Sequence, residues 1–295
     1  MPFTPIRTAS NVSRLLAILA VTISVAQAMV FTQIATHDGQ AMNIDPAGNL
    51  FVGDSKYDVV YKATPRPDWV RLPWISPSIQ YRGAHAIGME IQAHSPDDPR
   101  QVDKVNLKIS GGHDTYALRF GNTRYTGFAL MLPKATFEAP ENDKRLLLAQ
   151  WWQGAPYGPP VRLGITGSNA PGTVHYQLWV LNDDTLGNPS AQPQVAGEGD
   201  IPLDAWNRFE VMITPDFAGN GEIAVWLDDK KVVQWRGKVG YTPSAKPYKG
   251  ANENTPSPNK AFDVYIGPYR ETQARRHQAF YANIRFADTA DDARP

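Results

Sequence analysis

The sequence predicts an all-β protein, a sandwich or jelly roll, and three observations predict it. About ten runs of strand length follow one another, most alternating apolar and polar residues. Twenty-five Pro and 23 Gly are scattered between them as turn punctuation. No stretch keeps a helical period long enough to build a helix on. There is no internal repeat and no low-complexity segment.

The first residues stand apart. Arg7 and Arg14 precede the apolar run Leu15–Val25, and Ala26-Gln27-Ala28 follows as a small-x-small site. That order reads as a signal peptide over residues 1–28, the run being short for a membrane span. The expected destination is the periplasm or the exterior, with no membrane insertion after cleavage. Residues 29–295 then suffice for one large β domain. Residues 29–80 read as an irregular N-terminal wrapping segment. There Asp45-Pro46-Ala47-Gly48 and Gly53-Asp54 signal turns, and Pro65, Pro67, Pro73 and Pro77 mark an extended loop.

Strands are expected at Ile87–Ile91 and at Val102–Ser110, where Val105, Leu107 and Ile109 oppose Lys104, Asn106 and Lys108. A turn at Gly111-Gly112-His113-Asp114 leads to Thr115–Phe120, and Thr126–Leu132 is closed by Pro133. Leu146–Trp152 and Val161–Ile165 are a pair joined by a loop carrying Gly154, Pro156, Gly158, Pro159 and Pro160. Val174–Leu181 follows, then a polar connection from Asn182 to Asp200. Trp206–Ile213 alternates, and Glu222–Leu227 and Lys231–Trp235 form a hairpin about Asp228-Asp229-Lys230. A long loop over 237–260 precedes Phe262–Tyr269 and Ala279–Phe286.

Composition narrows the partners. Basic and acidic residues balance at 29 each, which gives no reason to expect nucleic acid. The chain has no cysteine, which removes disulfides, thiolate catalysis and thiolate metal sites. The six histidines show no metal-ligand spacing, so no metal site and no cofactor are expected; a structural calcium among loop Asp residues is conceivable but not indicated. A monomer is expected.

Within Leu146–Trp152 one residue is out of place. Regular alternation puts Leu148, Gln150 and Trp152 on one face and Leu147, Ala149 and Trp151 on the other. An amide in the middle of an apolar strand either bonds a neighbouring backbone group or faces something polar. Val174–Leu181 likewise collects His175, Gln177 and Trp179 on one face. Of the eight Trp, Trp152 and Trp179 suit a sugar-stacking surface, whereas Trp151, Trp206, Trp226 and Trp235 suit the core.

Three motifs in order then resemble the concanavalin A-like polysaccharide lyases, the group of heparin lyase I and the glucuronan lyases. The first is the strand Leu147–Trp151 with its Q-W pair and Pro-rich loop. The second is W-x-x-F-x-V at Trp206–Val211 followed by Gly221–Val232. The third is G-x-Y-R at Gly267–Arg270 with Y-x-N-I-R at Tyr281–Arg285. The resemblance spans Lys108 to the C-terminus. It implies a concanavalin A-like β-jelly-roll sandwich of two antiparallel sheets, with a concave groove for an anionic polysaccharide, and cleavage of a uronate polymer by β-elimination. That chemistry needs a group that neutralises the uronate carboxylate, a base for the C5 proton and an acid for the leaving O4.

Carried over residue by residue, Gln150 matches the glutamine proposed to contact the carboxylate, and Tyr269 the tyrosine that acts as base or acid. Arg270 is its neighbour, facing the other way in a regular strand. Tyr265 stands where heparin-type relatives often have Lys, which weakens a sulfated substrate. Trp152 stands where several relatives have His, leaving His113 and His175 as substitute bases. Arg119, Gln177, Lys246 and Tyr248 complete the candidate substrate contacts. Two other readings stay open. One is a non-catalytic lectin-like module on the same fold. The other is a glycoside hydrolase, against which stands the lack of a strand with paired carboxylates, since Glu210 and Glu222 are single acids.

Overall fold

Alternating apolar residues do what a two-period pattern demands: they bury one face of each strand and leave two sheets stacked on a shared core. The computed structural model describes residues 35–37, 40–44, 50–52, 55–61, 70–93, 102–109, 118–137, 145–186, 193–247, 251–252, 254–271 and 273–295. In chain order the strands are β1 (Ala35–His37), β2 (Gln40–Ile44), β3 (Leu50–Val52), β4 (Ser55–Tyr61), β5 (Val70–Tyr81), β6 (Ala84–Ile91), β7 (Val102–Ile109), β8 (Leu118–Arg119) and β9 (Arg124–Met131). They continue as β10 (Leu146–Trp152), β11 (Val161–Gly167), β12 (Thr173–Val180), β13 (Gln194–Pro202), β14 (Asn207–Thr214), β15 (Asp216–Leu227), β16 (Lys230–Val239), β17 (Ala261–Glu271) and β18 (His277–Ala287). Two single-turn helices, α1 (Lys134–Phe137) and α2 (Ala290–Ala293), complete the regular structure with a 3-10 turn at Asp183–Thr185.

One sheet runs β1-β2-β3-β4-β7-β17-β10-β11-β12-β13, with β8 also paired to β17. The other runs β16-β15-β14-β9-β18-β6-β5, and every pairing between strands is antiparallel. The jelly-roll expectation therefore holds. The core lies between the sheets, where Phe128, Leu130, Leu148, Trp151, Leu163, Leu178, Phe209, Val225, Ile266 and Tyr281 meet in one cluster. Each such aliphatic or Phe side chain contributes about 1.5–3 kcal/mol by leaving water. Trp151 joins them and donates its indole N–H to the Thr126 hydroxyl at 3.2 Å.

The structure departs from the sequence reading in four places. The described part of residues 29–80 is strand: β1 to β4 form a meander that extends the first sheet, and β5 edges the second. Pro73 and Pro77 lie within β5, where an edge position and two register shifts tolerate their missing N–H groups. The polar connection ends in β13, an edge strand hidden by Gly197 and Gly199. A Cβ on Gly197 would stand 2.4 Å from Val233, so glycine is what lets β13 close onto β16. Finally, Trp206 and Trp226 do not enter the main core. Trp206 packs on Tyr81 in a satellite cluster, and Trp226 lies half-buried beneath the Lys231 ammonium.

The β15–β16 hairpin turns through Asp228 and Asp229, both at positive φ (49° and 67°). That is the pattern of the two-residue turn whose twist matches the strands.

Candidate active site

A β-bulge sets the face of the central strand. Pairing of β10 slips between Leu147 and Ala149, which turns Leu148 into the core and puts Leu147, not Leu148, on the outer face with Gln150 and Trp152. Register then lines up two rows across the outer face, strands about 4.8 Å apart. In the first, Lys108, Tyr265, Gln150, Arg162, Trp179 and Val195 stand opposite one another on β7, β17, β10, β11, β12 and β13. In the second stand Lys104, Tyr269, Leu147, Gly164, Gln177 and Glu198.

This outer face is a trough rather than an open surface. Gln150, Tyr265 and Trp179 are only 6%, 7% and 3% exposed, although none belongs to the core cluster. The Arg145 guanidinium lies 4.8 Å over the Trp179 ring, and Trp152 packs on Tyr265 with ring centres 5.5 Å apart. At the end of β10 the loop after Trp152 is tied to the segment following β16. Gln153 accepts from the Tyr241 N–H at 2.7 Å and donates to the Asn259 carbonyl, and Tyr157 donates to the carbonyls of Ala245 and Pro256.

On the trough floor, polar groups lack the partners that burial normally requires. The Gln150 amide makes no hydrogen bond with any described residue. The Nε of Arg162 is buried without an acceptor, and no carboxylate of the described residues pairs with its guanidinium. The Tyr241 hydroxyl beside it is buried and unpartnered too. Burial, then the charge of Arg145, pulls the Arg162 pKa down to about 10. Burial pushes the Tyr269 phenol up, with Arg162 pulling it partly back and Glu271 adding to the rise. Tyr265 is raised by burial and by the Asp263 carboxylate. Two neutral phenols, an amide and a cation thus surround one place. Backbone spacing puts Gln150 and Tyr269 about 9 Å apart, a gap that their side chains and one sugar ring span.

A family model described as "Polysaccharide lyase" matches residues 75–285. The chain belongs to the polysaccharide lyase family. Among solved structures, an endo-β-1,4-glucuronan lyase from the fungus Trichoderma reesei is similar with a TM-score of 0.52 and 16% identity, covering 81% of this chain and 98% of that one. An alginate lyase from Pseudomonas aeruginosa is similar with a TM-score of 0.42 and 13% identity, covering 75% and 86%. No curated protein matches the chain in sequence.

In this polysaccharide lyase the other expected site residues separate from the centre. His175 is on the trough face but about 16 Å from Gln150 by strand and residue spacing. It is held at the sheet edge, with Nδ1 2.9 Å from Asp200 and Nε2 3.4 Å from Glu198. Its placement does not suit a base acting beside Gln150. Gln177 donates to Glu198 at 2.7 Å, and that bond, then one from His175, holds the Glu198 carboxyl below its ordinary pKa. Trp179 reaches the trough but is covered by Arg145, so it is not an open stacking platform. Trp152 remains half-buried at the rim and donates to the Tyr157 carbonyl.

Arg270 is corrected outright as a substrate contact. Its side chain is fully buried between the sheets, 3.4 Å from Asp103 and bonded to the Gln92 carbonyl and His277. Inward parity on β17 puts it there. Arg119 is exposed on β8 opposite Ala261, and Lys246 is exposed on the rim loop, donating to the Asn252 carbonyl at 2.9 Å. His113 and Tyr248 lie outside the described residues.

The sequence reading missed Arg162. The signal was present, a charged residue at an outward position of the apolar run Val161–Ile165, the argument already applied to Gln150.

Proposed function

We propose that this polysaccharide lyase cleaves a uronate polymer of low charge density, with Gln150 and Tyr269 at the reacting sugar. The observation that carries the reading is the buried Gln150 amide without a protein partner, beside two tyrosines on one trough floor. Its N–H groups bond the uronate carboxylate, which draws charge from C5 as the proton leaves. A base takes the C5 proton, the C4–O4 bond breaks with its electron pair going to oxygen, and an acid protonates that oxygen. The sugar keeps a C4–C5 double bond. Tyr269 has the protonated phenol for the acid step, and as tyrosinate it also serves as base. No cofactor enters these steps.

An unsulfated polymer such as glucuronan or alginate suits the charges of the trough better than heparin. Lys108 is already paired with Asp263 at 3.1 Å, and Glu198 and Asp200 close the far edge. A hydrolase would need paired carboxylates at the sugar, but Glu210 and Glu222 lie on the opposite sheet. Export through the 1–28 leader is part of the proposal. No helix of the described residues is long and apolar enough to cross a membrane.

The test is the growth of ultraviolet absorbance with glucuronan, alginate, heparin, hyaluronan and pectate. The unsaturated uronate absorbs, and hydrolysis does not make it. Absorbance on glucuronan or alginate supports the reading, and activity confined to heparin sinks the low-charge substrate. Binding without absorbance would leave a lectin-like module.

A further inference from the structure

We infer that Arg162, together with the Gln150 amide, seats the carboxylate of the uronate being cleaved, so that the enzyme takes uronates as free acids and discriminates against their esters. This deepens the proposed function and rests on it.

The argument begins with what a folded protein avoids. An arginine taken largely out of water is normally held by a carboxylate or by carbonyls, because an unpaired buried charge is costly. Arg270 obeys that rule on Asp103, and Arg208 obeys it on Asp228 and Asp229. Arg162 does not. Its Nε is buried without an acceptor, as is that of Arg270, but no described acid pairs with the Arg162 guanidinium, and the charge of Arg145 repels it.

Its position gives the exception a purpose. Arg162 sits directly across from Gln150 on the adjacent strand, so the guanidinium and the amide project side by side from the floor. The guanidinium offers only N–H donors and the amide offers its NH2 beside them, and a planar carboxylate with two oxygens fits a guanidinium fork. Trp179 walls the site on one side and Tyr265 on the other. Beyond Trp179, Glu198 and Asp200 exclude a second carboxylate. Esterification removes the negative charge and leaves the guanidinium unanswered.

The test compares wild type, Arg162→Gln and Arg162→Lys. The substrates are the uronate polymer on which wild type produces unsaturated ends and the same polymer methyl-esterified at its carboxyls. Wild type is expected to prefer the free acid strongly. Arg162→Gln should lose on the order of a hundred-fold in kcat/KM on the free acid but only a few-fold on the ester. Arg162→Lys should recover part of the loss. Because Arg162 has no internal partner, Arg162→Gln should melt no lower than wild type. Elimination that survives in Arg162→Gln, or equal losses on acid and ester, would overturn the seat and leave the lyase reading standing. If wild type eliminates nothing, affinity electrophoresis in glucuronan and alginate gels decides. Retardation lost in Arg162→Gln keeps the seat without the elimination, and no retardation of wild type removes both.

Discussion

Gln150 illustrates how a residue of low structural value becomes informative. Its side chain contributes no hydrogen bond to the fold, so truncating it strands no partner. Gln150→Ala should therefore keep the melting temperature within a few degrees while turnover falls by about a hundred-fold or more. Full activity of that variant would end its assigned role. Tyr269 answers to pH. Burial holds its phenol above the ordinary 10.0, so it stays protonated at neutral pH, as the proposed donation to O4 requires. As a base it acts only through its tyrosinate fraction, which grows about ten-fold per pH unit below the pKa. The kcat/KM should climb from pH 7 toward pH 9, and Tyr269→Phe should abolish turnover with substrate binding kept; a flat profile would exclude Tyr269 as base. Arg270 makes the opposite case. By breaking its buried ion pair with Asp103, Arg270→Ala should destabilise the fold by about 3–5 kcal/mol, seen by denaturant titration. Sequence parity indicated its inward direction, but only the packing showed that it is wholly enclosed.

Among the elements, those with clean alternation were legible: β7, β9, β10, β12, β14 and β18 fall within a few residues of their expected bounds. The elements that escaped did so for local reasons. β13 carries two glycines and three charged or amide-bearing residues, Gln194, Glu198 and Asp200, a composition that reads as loop, yet its backbone pairs with β12 along its length with one register shift. Gly197 should accordingly tolerate no side chain. Gly197→Ala would press a Cβ into Val233 and lower stability by about 1–3 kcal/mol, measured by thermal melting, without touching the polar groups beside Gln150. The bulge in β10 escaped for another reason. A bulge adds no residue type of its own, so alternation counted along Leu146–Trp152 exchanged Leu147 and Leu148 while placing Gln150 correctly.

At the scale of the molecule, the interior leaves an alkaline signature. The phenols of Tyr281, Tyr241 and Tyr265 are all raised by burial above 10.0. Each holds its proton more tightly folded than unfolded. The stabilisation is complete below pH 10 and is lost above it, where the unfolded chain ionises first. The melting temperature should stay level through pH 9 and fall beyond pH 10; a level curve to pH 12 would contradict their burial. The sequence by itself determined the all-β class, most of the strands and the family resemblance, and it singled out Gln150 and Tyr269, on which the proposed chemistry is hung. Those are properties of local patterns, because a strand's period and a motif's spacing are written along the chain. Only the tertiary structure decided that His175 stands apart, that Arg270 is enclosed and that Arg162 lies beside Gln150 without a counter-charge. These are matters of register and burial between strands distant in sequence, and a linear pattern does not encode which side chains end up facing one another.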